Sequence, residues 1–327
     1  MMIKALALYQ REPGLALPVV YRGQPLTVGS DHQALVEACH RALHDGPGRG
    51  FATFLDGEAP ALRPASGFNF GSWVEAFVAA FGQWCSEVET EVLAAPVMLL
   101  CHHQQAGGDH LLIVLAEQRN GFTLTADLQL LEIQSLAVDR GLRVVELALA
   151  HRADDPVPPV RYAGRSGRKV ADPLFSLLGL QRDEQAVDAG IKVARSIDAV
   201  CVAQGLPVAE QMAVKQQVNR LCRERFAGGE AVRSEELSEL VSELTGQPVS
   251  NAIFSEQGID SAAFMAAPIG FRKGSRFAGA GRGMSISFDR ALLGNAAHFD
   301  ATSGTLTLTN LPANLIDQLL KAESQPL

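Results

Sequence analysis

The sequence predicts an α+β protein. It has an N-terminal β-meander with packed helices, then a C-terminal helical region ending in a small antiparallel sheet and a closing helix. Three observations predict this. Strand-like runs before residue 150 follow one another in hairpin order rather than alternating with helices. Between residues 184 and 245 apolar residues recur at steps of three and four, the helical period. From Met284 onward the period falls to two. A chain of 327 residues suits two domains of roughly 150 residues each. The stretch 153–159, ADDPVPP, cannot sit inside a strand or helix. It predicts domains at 1–155 and 156–327, the second carrying the basic loops.

Ile3–Gln10 reads as a strand, with Ala16–Tyr21 as its partner across a Glu-Pro-Gly turn. Ser30 with Gln33 makes a capping box for a helix to about His44, burying Leu35, Val36, Cys39 and Leu43. Phe51–Leu55 is a short strand. Over Ser72–Leu93, Trp73, Phe77, Phe81, Trp84 and Val88 form one helical stripe. The opposite face bears Glu75, Glu87 and Glu91 rather than lysines, so the stripe is a core face and not a membrane-surface one. Val97–Gln104 and His110–Glu117 flank an Ala-Gly-Gly-Asp turn. Phe122–Ala126, Leu130–Gln134 and Leu142–Ala150 continue the meander.

Asp172-Pro173 suits an N-cap and first-turn proline, with Leu174, Leu177 and Leu178 on one face and Gly179 as the stop. Glu184–Gln204 aligns Val187, Ile191, Ala194, Ile197 and Cys201. Pro207 opens the next helix, with Val214, Val218, Leu221 and Cys222 inward and Lys215, Arg220, Arg223 and Arg225 on or near its wet side. Gly228 and Gly229 end it. Ser234 caps a helix carrying Leu237, Leu240, Val241 and Leu244, and a small one follows at Asn251–Glu256. Met284, Ile286 and Phe288 alternate with Ser285, Ser287 and Asp289 in a half-exposed strand. His298–Asp300 and Thr305–Thr309 bracket a turn. Pro312 begins the closing helix with Leu315, Leu319 and Leu320.

Charge is segregated. The chain carries 28 Lys and Arg against 36 Asp and Glu, net −8. Val160–Ala171 holds Arg161, Arg165, Arg168 and Lys169 with no acid, and Ser261–Phe288 holds Arg272, Lys273, Arg276 and Arg282 with no acid. The remainder has 20 basic and 36 acidic residues, net −16. Such a pattern fits local steering of a polyanion by an otherwise acidic molecule, and equally fits solvated loops pairing with their own acidic surroundings. Aromatics at 6% are too few for a stacking platform on single strands. Five cysteines without a Cys-x-x-Cys pair fit reduced, buried thiols in the cytosol. No signal peptide is expected, because Arg11, Glu12 and Pro13 come too soon, and no apolar run approaches the roughly 20 residues of a membrane span.

The loop Gly164–Asp172, GRSGRKVAD, has glycines that admit close approach and arginines that can fork onto phosphate oxygens. Asp172 as a cap would occupy the helix end, so anion contact is expected through the arginines. Cys101, His102, His103 and His110 resemble ligands only superficially. Adjacent His102 and His103 face opposite sides of a strand, and no metal is expected. Gly279, Gly281 and Gly283 have the wrong spacing for a dinucleotide loop, and Gly164–Lys169 is no Walker A loop. No cofactor and no catalytic motif is indicated.

Two blocks carry a family resemblance: Gly164–Asp172 with the apolar helix to Gly179, and Arg276–Gly294 (RFAGAGRGMSISFDRALLG) continuing through Phe299-Asp300, Gly304–Leu308 and Pro312–Leu319. The Cys101-His102 strand and the order of elements are similar too. With them the chain resembles the bacterial nucleoid-associated protein family called NdpA or YejK. The resemblance implies a cytoplasmic nucleoid protein that associates with DNA and takes part in chromosome organisation. Arg165, Arg168 and Lys169 match the family block directly, and Arg276 falls where it has a basic residue. Arg282 stands at a glycine-like position, Pro173 replaces a bulky apolar residue, and Arg161 and Lys273 are carried by charge alone. The resulting expectation is a non-enzymatic homodimer that binds double-stranded DNA through basic loops, largely without sequence specificity. The alternative is an adaptor for another nucleoid or DNA-topology protein. An unrecognised nuclease would need clustered carboxylates around a divalent ion.

Overall fold

The hairpin strands at 97–105 and 108–116 are the second and third strands of a seven-stranded antiparallel sheet. The computed structural model describes residues 1–10, 28–45, 48–57, 62–64, 67–87, 97–105, 108–125, 127–138, 142–152, 154–164 and 173–324. Two compact units result: Met1–Glu184 with Ala227–Glu230, and Gln185–Phe226 with Ala231–Leu327. The α+β expectation holds, whereas the expected boundary at 155/156 falls inside the first unit. The proline-rich stretch there is a loop between two neighbouring strands of one sheet.

In the first unit the elements are β1 (Met2–Gln10), α1 (Ser30–Asp45), β2 (Gly50–Phe54), α2 (Phe70–Glu87), β3 (Val97–Gln105), β4 (Gly108–Ala116), β5 (Gln118–Leu124), β6 (Leu130–Leu136), β7 (Arg143–Ala148), β8 (Val160–Ala163), α3 (Pro173–Leu178) and β9 (Leu180–Arg182). The sheet order is β1-β3-β4-β7-β8-β2-β9. Described partners of β1 come from β3, and Ala16–Tyr21 lies outside the described residues. The expected continuous meander is broken. β4 pairs directly with β7, and β5 with β6 forms a separate ribbon that leaves Phe122, Leu124 and Leu130 exposed.

Both faces of the sheet are covered, which is why Met98–Cys101 of β3 and Leu111–Ala116 of β4 are continuous apolar runs rather than alternating. On one face Trp73, Phe77 and Phe81 of α2 meet Leu100, Leu111, Ile113 and Leu115. Trp73 and Phe77 stack at 4.9 Å, and the Trp73 indole N–H donates to the Leu62 carbonyl at 3.0 Å. Val88, the last residue of the expected stripe, lies outside the described residues. On the other face Val36, Cys39 and Leu43 of α1 meet Leu6, Leu99, Cys101, Leu112 and Val114.

The second unit comprises α4 (Glu184–Ala203), α5 (Val208–Gly228), β10 (Val232–Arg233), α6 (Ser234–Thr245), α7 (Ala252–Glu256), β11 (Ala263–Phe264), α8 (Pro268–Gly274), β12 (Arg276–Gly281), β13 (Met284–Asp289), β14 (Ala297–Asp300), β15 (Thr305–Leu308) and α9 (Ala313–Glu323); the first residue of α4 and the last two of α5 cluster with the first unit. Its core joins Val193, Ile197, Val218, Cys222, Leu237, Val241, Phe254 and Phe271. Ser234 does not cap α6 from the side chain: its hydroxyl donates to the Ser261 carbonyl. The terminal strands form two separate hairpins, β12–β13 and β14–β15, rather than one sheet.

One contact sets the position of α8. A Cβ on Gly190 would stand 2.4 Å from the Ala267 carbonyl oxygen, one on Gly270 2.0 Å from that of Val187, and one on Gly274 2.6 Å from that of Ile191. These are backbone atoms, so α4 and α8 touch main chain to main chain and no side chain can yield. By contrast, nothing lies within 4 Å of a Cβ at Gly281. Gly270→Ala is expected to cost about 1–3 kcal/mol in chemical denaturation. Gly281→Ala should stay within about 0.5 kcal/mol. Equal effects at the two sites would refute the main-chain contact.

Candidate nucleic-acid interface

The contact between α4 and α8 fixes what the second unit presents. Pro268 starts α8 where a missing N–H costs nothing. Arg272 and Lys273 fall in its last turn, both exposed, where cations complement the helix dipole. The chain then enters the β12–β13 ribbon. Its register pairs Arg276 with Asp289 and Gly281 with Met284, leaving Arg282-Gly283 as a two-residue turn. Both turn residues have positive φ, +51° and +79°, the type I′ requirement. Arginine is strained in that left-handed region by about 1–2 kcal/mol, where glycine is at ease. Arg282 is therefore held, exposed, at the tip of a ribbon that would fold more easily without it.

The base of the ribbon is tied down electrostatically. Lys215 was expected on the wet side of α5, but it is buried, drawn in by two carboxylates. Its ammonium pairs with Asp198 of α4 and with Asp289 of β13, the latter at 2.9 Å. Asp289 also accepts from the Ala291 N–H at 3.0 Å, and Arg290 reaches Asp198 at 3.5 Å. Burial opposes the Lys215 charge, yet the two carboxylates outweigh it and raise its pKa. Burial pushes the Asp198 carboxyl up against the pull of Lys215. Phe277 and Phe288 pack across the strands at 5.6 Å, with the Arg290 guanidinium 4.2 Å from the Phe277 ring.

Between α5 and α8 lies an open cavity of about 580 Å³, lined by Met212, Lys215, Asn219, Arg223, Arg272 and Asp289 among others. It brings Arg223 beside Arg272, two cations far apart in sequence. Arg223 was not singled out as a site residue in the sequence, although Lys215, Asn219 and Arg223 recur at steps of four on one helix face. Among the described residues no carboxylate pairs with Arg223, Arg272, Lys273, Arg276 or Arg282, whereas Arg220 and Arg225 pair with Glu224 and Glu236. Arg276 donates to the Ser287 carbonyl at 3.2 Å.

The other expected contact residues fall differently. Arg165, Arg168 and Lys169 lie outside the described residues. Arg161 is on β8, half-buried in the first unit. It donates to the Ala227 carbonyl at 2.9 Å and lies 5.7 Å from the Phe51 ring centroid. Its guanidinium is thus occupied internally.

The first unit holds a second polar group, on the α1 side of the sheet. Glu146 of β7 is buried, with His40 Nε2 at 3.3 Å, His103 Nε2 at 3.2 Å and the Gln105 amide donating at 3.2 Å. His103 stacks on His110 at 5.6 Å. His103 Nε2 faces Glu146 without the alignment of a full hydrogen bond. His102 points to the other face, between Phe68 and Phe70. Among the described residues no three His, Cys, Asp or Glu side chains are placed to hold a metal ion. Burial pushes Glu146 up, but His103 and His40 outweigh it and hold the carboxyl far below its ordinary range. Burial lowers the pKa values of His44 and His110.

Comparison with known proteins gives the family. The model of the nucleoid-associated protein YejK family matches residues 3–316. A nucleoid-associated protein of Serratia proteamaculans (strain 568) is 28% identical over 334 residues, covering 98% of each chain. Proteins called nucleoid-associated protein YejK from Salmonella paratyphi B (strain ATCC BAA-1250 / SPB7) and Salmonella newport (strain SL254) are each 30% identical over 237 residues, 70% of this chain and 69% of theirs. The chain is thus a nucleoid-associated protein. More narrowly, the chain belongs to the YejK family. Its place is the nucleoid, in the cytoplasm. No helix among the described residues is long and apolar enough to cross a membrane.

Acid should weaken the first unit. His44 and His110 take up protons less readily folded than at their ordinary value of 6.5, so the unfolded chain binds more protons below that pH. Their stabilising effect is complete above 6.5 and lost as pH falls. Glu146 adds a second loss below about 4.5, its ordinary value. The denaturation midpoint is expected to fall between roughly pH 7.5 and 5.5, with a smaller fall in His110→Asn. A midpoint that rises on acidification would contradict the assignment.

Proposed function

We propose that this chain binds double-stranded DNA, largely without sequence specificity, by setting cations against phosphates. The observation that carries the reading is the set Arg272, Lys273, Arg276 and Arg282. None pairs with a carboxylate among the described residues, and all stand in an acid-free segment of a chain with net charge −8. In an acidic protein, free cations gathered in one segment can direct a polyanion there while the rest of the surface repels it. Arg223 joins them across the cavity. The ribbon is slim, with open space where Gly279 and Gly281 lack side chains, so a sugar–phosphate backbone can approach its main chain closely. Arg165, Arg168 and Lys169 add a second basic segment, and Arg161 contributes at most to its base. Two copies of the chain would double these contacts along one duplex. The role is chromosome organisation rather than catalysis.

A second reading is an adaptor for another nucleoid or DNA-topology protein. It is favoured by the β5–β6 ribbon, where Phe122, Leu124 and Leu130 are each 60–69% exposed. Partners retained in a pull-down after nuclease treatment would favour it.

Phosphate neutralisation releases counterions, so log K should fall with log salt by about 0.9 for each phosphate contacted. Replacing Arg272, Lys273 and Arg282 with alanine should weaken binding to every duplex alike and flatten the slope by roughly 2.7. A comparable change is expected for Arg165, Arg168 and Lys169 together. Salt-titrated anisotropy on folded variants measures both. Curves that superimpose on the wild type for both triple variants would overturn the phosphate reading. Supercoiled plasmid should stay intact with magnesium and wild-type protein, and nicking would overturn the non-enzymatic role.

A further inference from the structure

We propose that two copies of the chain associate through the C-terminal arm, residues 276–324, by the apolar faces of β14–β15 and α9. The reading above leaves open where two copies would meet; this names the surface, and it does not rest on DNA binding.

The arm is built from elements too small to stand alone. Two-stranded hairpins are at best marginal in water. So are isolated helices shorter than about 12–15 residues. β14 and β15 have four residues each, α9 has eleven, and α9 buries none of them. Each is nevertheless patterned for burial. The β14–β15 register pairs Ala297 with Leu308 and Phe299 with Leu306 on one face, and His298 with Thr307 and Asp300 with Thr305 on the other. On the apolar face Phe299 is 59% exposed and Leu308 39%. α9 groups Leu315, Ile316, Leu319 and Leu320 on one side, between 39% and 57% exposed. Its remaining positions include Asn314, Asp317, Gln318 and Lys321.

The exposed parts of these six side chains equal nearly three whole ones, on the order of 500 Å². A standard interface takes about 800 Å² from each partner, a little over half of it apolar, roughly 450 Å². The arm therefore carries enough apolar surface for a stable pairing.

Charge selects the occupant. The arm holds Arg276, Arg282, Arg290 and Lys321 against Asp289, Asp300, Asp317 and Glu323, a net charge of zero in a chain of −8. Two acidic copies can meet here without the repulsion they would feel elsewhere. A duplex would want cations on the apolar face, and it has none. A lipid surface would want a basic polar face, but α9 offers Lys321 against Asp317 and Glu323. A second copy brings the same bare faces in equal number, and a two-fold contact covers both sets at once.

Sedimentation of the full chain across micromolar concentrations tests this. The wild type is expected at twice the 34.9 kDa chain mass. Leu319→Asp with Leu320→Asp should sediment at the single-chain mass with an unchanged far-UV spectrum, because neither side chain is buried within its own chain. If that variant fails to fold, Leu319→Ala with Leu320→Ala decides, with an expected rise in dimer dissociation constant of at least tenfold. A wild type at the single-chain mass overturns the proposal, whether the arm folds onto its own chain or waits for a different protein. A folded Asp variant that keeps the double mass overturns it too, by placing the contact elsewhere. Salt-titrated duplex binding is read separately. Its loss would sink the phosphate reading and leave this one standing, and a single-chain wild type that binds DNA would do the reverse.

Discussion

The second unit depends on the absence of three side chains. At Gly190, Gly270 and Gly274 the backbones of α4 and α8 lie so close that a single added carbon would overlap a main-chain atom. That contact decides where α8 ends, and so where Arg272 and Lys273 point and where the ribbon begins. Buried ion pairs then secure the ribbon. Lys215 between the partly exposed Asp198 and Asp289 is weak evidence of stability, because taking its ammonium out of water offsets much of their attraction. Its effect is one of placement, since a ribbon in another position would strand Lys215 without Asp289. The strained turn at Arg282 sits on a base that cannot drift.

The arrangement separates three surfaces by chemistry. Free cations occupy α8, the facing side of α5 and the first hairpin of the arm. Apolar side chains without cover occupy the second hairpin and α9, and again the β5–β6 ribbon of the first unit. The acidic remainder keeps the rest of the surface from competing for a polyanion. On the proposed reading, such a division lets cations meet phosphates while the acidic surface stays out of the contact.

Much of the fold was legible in the sequence because period is a local property. The Trp73-Phe77-Phe81 stripe, the β3–β4 hairpin and α4 with its five aligned positions all stand where their spacing predicts. What was not legible is pairing at a distance. Nothing local tells that β4 skips the next two strands to join β7, or that β8 and β9 cross the proline-rich stretch to finish the first sheet. The site was partly legible. Charge alone marked Arg272, Lys273, Arg276 and Arg282, all of which are exposed. It could not tell Arg161, held by the Ala227 carbonyl, from a free cation. It misplaced Lys215, since a lysine on a helix reads as wet unless its carboxylate partners are known, and Asp289 is 74 residues away.

The five thiols make each unit its own reporter. Cys39, Cys85 and Cys101 are buried in the first unit, and Cys201 and Cys222 in the second. Burial raises the Cys101 and Cys222 thiols to about 12, so almost no reactive thiolate exists while the fold is closed. Alkylation then proceeds only through opening, and the order in which three and two labels appear ranks the two units by their resistance to local unfolding.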